Sequence, residues 1–281
     1  MESLTTLLSF EFVRNAIYAG LLASVLCGVI GTFVVVKRLV FVSGGISHAA
    51  FGGLGVCYFL GVEPLAGAAT TAVLAALWLG SVGHGRERSR DASIGVLWAV
   101  GMAVGAIFIF KTPGYAPNLM TYLFGNILTV ERGDVLLTLA FTALVIGLLV
   151  LFFEELVAVA FDEEFAKVQG VPVRAFTTLL MVLVALSVVL LIQLVGIILV
   201  IALLTIPPVI GLMLTRSFIK VIFLSVVIGA VMTLGGLALS YGFDLPSGPT
   251  IVLLGTVLLL MVSLLRRVRR EKRLRSPRNA T

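Results

Sequence analysis

Phe161-Asp162-Glu163-Glu164-Phe165-Ala166-Lys167-Val168-Gln169-Gly170-Val171-Pro172 is a polar island in a chain otherwise oily enough for lipid. Its residue order predicts a short helix. Asp162 is an N-cap type, and Glu163 and Glu164 stand in the first turn, where the helix dipole favours anions. Gly170 ends the helix and Pro172 opens the next one. Phe161, Phe165 and Val168, spaced by four and three, give one apolar face behind a charged one. An amphipathic helix between two apolar runs has two readings, a solvated loop helix or a docking element for a soluble partner. Periodicity alone favours the first.

On either side of this island the chain is apolar. Sixty per cent of its 281 residues are hydrophobic and 12% are charged, and no polar stretch is long enough to build a soluble domain. The fold class that follows is all-α, a polytopic membrane protein. Runs near twenty apolar residues match a bilayer core of ~30 Å. They predict about nine spans, within a range of eight to ten, near 13–36, 39–60, 64–80, 92–110, 134–153, 174–192, 195–214, 218–241 and 248–265. Together they make a transmembrane region over 1–265, with a polar segment at about 154–173 and a basic tail at 266–281. Glu2, the absence of a basic start and the length of the first apolar run predict a retained first span. Cys27 and Cys57 fall inside apolar runs and read as small hydrophobes.

Basic residues orient such a bundle, because lysine and arginine accumulate in cytoplasmic loops. With the C-terminus inside, 17 of the 20 lie on the cytoplasmic side, and only Arg14, Lys111 and Arg132 lie outside. The N-terminus is then external and the 161–172 stretch faces the cytoplasm. The net charge of +6 is mostly this topology signal. The run Arg266–Arg278 reads as an anchor against anionic lipid rather than a nucleic-acid site.

Few residues can carry chemistry within the bilayer. His48 lies ten residues past Arg38, which at 1.5 Å per residue is about 15 Å deep, near the midplane. It is either a ligand for a borderline transition metal or a packed histidine bonded to Ser43, Ser47 or a backbone carbonyl. Gly44, Gly45, Gly52, Gly53 and Gly55 allow a neighbouring helix to approach closely. His84, in the Gly83–Arg86 turn, reads as a solvated loop residue. Asp244 and Glu63 stand at outer helix ends, where a carboxylate either guides a cation or is simply hydrated. Glu131, Asp134 and Glu11 form the same group. No glycine precedes a lysine, so there is no phosphate-binding P-loop, and no paired intramembrane carboxylates suggest a proton relay. Any energy for transport must come from elsewhere.

Several segments, in order, resemble the permease subunits of ABC transporters for zinc, manganese and iron. They are Lys37-Arg38-Leu39-Val40-Phe41 with Ile46-Ser47-His48-Ala49, then Tyr122-Leu123-Phe124-Gly125-Asn126-Ile127-Leu128, then Phe161–Val173 with Val195–Pro207, and finally Leu245-Pro246-Ser247-Gly248-Pro249. The likeness spans nearly the whole membrane portion. It implies an importer permease fold in a prokaryotic cytoplasmic membrane. It further implies a homodimer, a separate ABC ATPase docked on the cytoplasmic face, and an extracytoplasmic metal-binding protein delivering cargo. No resident cofactor is implied: the divalent metal is cargo, and ATP is consumed on the partner, so the chain itself is not an enzyme. The resemblance makes 161–172 a coupling helix, with Asp162, Glu163, Glu164, Phe165, Val168 and Gly170 meeting the ATPase. It makes His48 a metal ligand on the translocation path, with Asp244 a weaker candidate. Gly45, Gly52 and Gly53 remain helix-packing positions. Family members commonly carry an aspartate four residues before this histidine, where this chain has Gly44. Pro207-Pro208-Val209-Ile210-Gly211 also departs from the usual run of small residues. The residues alone leave open an ATP-independent secondary transporter or channel, and a membrane scaffold in which His48 only packs.

Overall fold

The structure, a computed structural model, describes residues 9–82, 87–113, 125 and 127–275. Every regular element among them is helical: α1 Glu11–Val36, α2 Val40–Phe59, α3 Pro64–Val82, α4 Glu87–Lys111, a 3₁₀ turn Ile127–Thr129, α5 Arg132–Leu151, α6 Phe153–Phe161, α7 Glu163–Val168, α8 Val173–Val195, α9 Ile197–Leu214, α10 Phe218–Phe243 and α11 Ser247–Arg275. Among the described residues eight helices are long and apolar enough to cross a bilayer, and Pro64–Gly80 is a shorter apolar one. The nine expected spans all appear as helices. The basic tail does not begin as a separate segment, because α11 runs unbroken from the last span to Arg275. His84 and Tyr122–Phe124 lie outside the described residues.

The helices split into a buried centre and an outer ring. α2 is buried at every residue from Val42 through Gly55, whereas α4, α5 and α11 leave most of their apolar windows open. A helix buried on all sides must present small residues, since the neighbouring backbones come close. α2 does so toward α4. An added Cβ at Gly45 would lie 3.0 Å from Ile94, at Gly52 3.0 Å from the Gly101 carbonyl oxygen, and at Gly55 2.6 Å from the Gly105 carbonyl oxygen. Partner numbers rise together along both chains, so α2 and α4 run parallel. Toward α3, Gly53 packs on Gly67 and Thr71. α1 meets α10 the opposite way round, with Ser24 Oγ 3.0 Å from Thr233 Oγ1 near one end and Thr32 donating to Ser225 at 3.4 Å near the other.

α9 carries Pro207 and Pro208 in its interior, both buried. Proline has no N–H, so the carbonyls of Leu203 and Leu204 lose their helical donors. Gly31 of α1 explains why the site tolerates this. A Cβ there would fall 2.5 Å from the Leu204 carbonyl oxygen, so only glycine lets α1 lie against that freed group.

Candidate functional site

One end of the bundle is built by the polar island. Asp162 Oδ1 accepts from the backbone N–H of Glu164 and Phe165, both at 3.0 Å, and so caps α7. At the other end Gly170 takes φ +81°. The Gly170 N–H bonds the Lys167 carbonyl and the Val171 N–H bonds the Ala166 carbonyl, each at 3.0 Å, the pairing of a Schellman stop. Pro172 caps α8 from just outside it rather than opening its first turn. Lys167 donates to Glu164 Oε1 at 2.7 Å, and that bond together with the same carboxylate's charge raises the ammonium's pKa.

Two details differ from the expectation of a single amphipathic helix. The 154–173 segment holds two helices, and Phe161 ends the first of them, α6. The hinge is Asp162, whose extended backbone (φ −150°, ψ 100°) separates α6 from α7. The face that anchors α7 is also not the aromatic one. Ala166 is fully buried against Val159 and Val173, while Phe165 is 55% and Val168 87% exposed. The apolar residues therefore point away from the bundle.

Two ties hold this end to the spans. Lys37, at the elbow between α1 and α2, donates to Glu163 Oε1 at 2.7 Å and to the Val159 carbonyl at 2.8 Å. Its side chain is only 8% exposed. Sequence reading took Lys37 as a topology marker and missed this latch. Arg38 beside it adopts φ +58°, a left-handed conformation uncommon for arginine. The second tie is aromatic: Phe218 at the start of α10 meets Phe33 edge-on at 5.0 Å and Phe161 at 5.4 Å.

Midway along α2, His48 is 7% exposed. The hydroxyls that were to pair with it donate elsewhere, Ser47 to the Ser43 carbonyl and Ser43 to the Val40 carbonyl, both at 2.8 Å. His48 Nδ1 is buried and has no hydrogen-bond partner among the described residues. Its ring stacks on Trp98 of α4, with centroids 4.6 Å apart and planes 21° apart. Gly101, one turn past Trp98, lies against the His48 carbonyl so closely that any Cβ would collide with it. Sequence reading did not find Trp98. Across the seam Ile94 meets Gly45, Trp98 meets His48, Gly101 meets Gly52 and Gly105 meets Gly55, a register that neither helix displays by itself.

At the other end of the bundle, two of the candidate carboxylates are engaged in capping. Glu131 and Asp134 form a reciprocal capping box at the start of α5. Asp244 is exposed and ends α10 in a left-handed conformation with φ +53°, a state aspartate reaches more readily than most residues. Glu63 precedes Pro64 and accepts the Ala66 N–H on its carbonyl. Among the described residues no three His, Cys, Asp or Glu side chains gather into a group that could hold a metal ion.

Residues 9–266 match the ABC 3 transport family. The chain belongs to it. It is 42% identical over 267 residues to an uncharacterized membrane protein of Synechocystis sp., covering 95% of each chain. It is 34% identical over 264 residues, 94% of each, to the manganese transport system membrane protein MntC of Listeria innocua. Among solved structures it resembles PsaBC from Streptococcus pneumoniae in complex with Fab, with a TM-score of 0.83 and 31% identity over 92% of this chain and 93% of that one. This ABC-transporter permease is thus a multi-pass helical membrane protein of the metal-transport type. Its two noteworthy regions, the α7 tip and the His48–Trp98 pair, sit on separate parts of one bundle.

Proposed function

We propose that this permease moves a divalent transition metal ion, zinc, manganese or iron, into the cell by alternating access. A separate ATPase supplies the energy, and two permease copies enclose the path. The end that carries Lys37, α6, α7 and Phe218 faces the cytoplasm, with the N-terminus outside and the C-terminus within. The observation that carries this reading is the tip of α7. A six-residue helix too short to persist alone is capped at both ends, latched through Lys37, and turns Phe165 and Val168 outward. Such rigidity with exposed apolar side chains suits a piston that seats in a partner's cleft.

In this scheme an external binding protein delivers the ion, and His48 replaces part of its hydration shell on the way through. Closure of the ATPases pushes α7, and the Lys37 latch passes the push to the elbow of α1 and α2, the helix that bears His48. Copurification tests the first link. The wild-type chain should retain a soluble P-loop ATPase, and replacing Glu163, Glu164 and Phe165 together should lose both its association and its stimulation. Unchanged association, or metal uptake by the chain alone in liposomes, would overturn the scheme.

A further inference from the structure

The steric relation of His48, Gly44 and Trp98 bears on which metal passes. Position 44 precedes His48 by one turn on the same face of α2, the place from which a side chain on that helix reaches the imidazole. It is glycine, and a Cβ there would already lie 3.3 and 3.4 Å from two carbons of the Trp98 ring. The indole therefore crowds the first atom of any side chain at position 44. The same ring covers one face of the imidazole and is itself 36% exposed, so it stands between His48 and the open side of α4.

The oxygen donors on α2 are poor ones. α2 contains no acidic residue, and Ser43 and Ser47 present neutral hydroxyls already bonded to backbone. Asp91 of α4 comes seven residues before Trp98, about 10 Å along a helix axis. On α2 itself the donor open to a cation is the buried Nδ1 of His48, which has no hydrogen-bond partner among the described residues. Imidazole suits zinc, copper, iron and nickel, whereas manganese, magnesium and calcium draw on carboxylate and carbonyl oxygen.

Resting on the transport reading above, we propose that Trp98 is a specificity-determining residue: it excludes a carboxylate from the His48 site and so biases the permease toward imidazole-binding divalent ions, zinc foremost, and against manganese. Trp98 acts by filling space and by stacking, and it donates nothing to the ion.

The test is uptake of radioactive zinc and manganese by cells carrying the whole transporter, with recovery of the assembled complex as control. The wild type should take up zinc in clear preference to manganese. Trp98→Phe keeps a ring over the imidazole and should keep the preference. Gly44→Asp combined with Trp98→Ala creates the carboxylate and the room for it, and should shift the zinc-to-manganese ratio at least tenfold toward manganese. Gly44→Asp alone should change the ratio less than the double variant, because the indole crowds the new side chain. Equal uptake of the two metals by the wild type, or an assembled double variant with an unchanged ratio, overturns the proposal. His48→Ala separates the two levels. If it leaves both metals moving, the translocation reading fails; if it stops both while the double variant changes nothing, only the role of Trp98 falls.

Discussion

The α7 tip and the His48 site are built in opposite ways. The tip is local: Asp162 caps it, Gly170 stops it, and Ala166 seats it on residues within about ten positions along the chain. The membrane site is assembled from afar, with an imidazole on α2 covered by an indole fifty residues later on α4. Local construction makes an element that keeps its shape while the bundle moves. Distant construction makes one that changes whenever two helices shift. In the proposed mechanism the first serves as a stiff lever and the second as a soft site.

The strongest way to break this contrast is at His48. His48→Ala should reduce metal uptake by at least the ~10–100-fold that losing an outer-shell partner costs a metal site, while the assembled complex survives; uptake assays with size-exclusion profiles check both. Next comes Gly101→Ala. Its methyl has no room beside the His48 carbonyl, and overpacking of this kind costs about 1–3 kcal/mol, read as a drop in thermal stability and a perturbed tryptophan emission.

Lys37→Met tests the ion pair that ties the α7 tip to the α1–α2 elbow. Breaking a buried ion pair by removing one partner costs about 3–5 kcal/mol. Glu163 is half-exposed and solvent can take over its charge, so the loss here should be smaller. Function should suffer more than stability: ATP hydrolysis should continue while uptake falls, measured together in proteoliposomes.

Asp162→Ala should be milder, about 1 kcal/mol for a lost cap, seen as faster protease cleavage between α6 and α8 with the spans unaffected. The smallest structural effect belongs to Val168→Ser. That side chain touches little in the isolated permease, so its thermal stability should not change, yet ATPase binding should weaken. A variant that destabilised the bundle instead would erase the distinction between the two regions.

Sequence carried the locally built features and lost the distant ones. The cap, the first-turn acids and the stop at Gly170 all act through neighbours, so reading them in order recovers α7. Span positions follow from apolar run length, which the bilayer enforces regardless of partners. α6 escaped because its break from α5 at Phe152 is set by backbone conformation (φ −113°, ψ 30°) and carries no Gly or Pro. The outward turn of Phe165 escaped because a six-residue helix has no periodicity to say which apolar face is anchored, and the smallest residue, Ala166, took that part. Trp98 escaped for a different reason. A register between two parallel helices depends on how their glycine steps interlock, and no single helix displays it. Glu131 and Asp134 show the converse: the sequence left them as cation guides or hydrated carboxylates, and they are engaged in capping.

The paired prolines of α9 have a mechanical consequence. Leu203 and Leu204 carry carbonyls with no helical rung to rupture, and Gly31 adds no side chain to jam the joint. Flexing at that level has two fewer backbone bonds to break, so α9 has a built-in crease that an unbroken helix lacks.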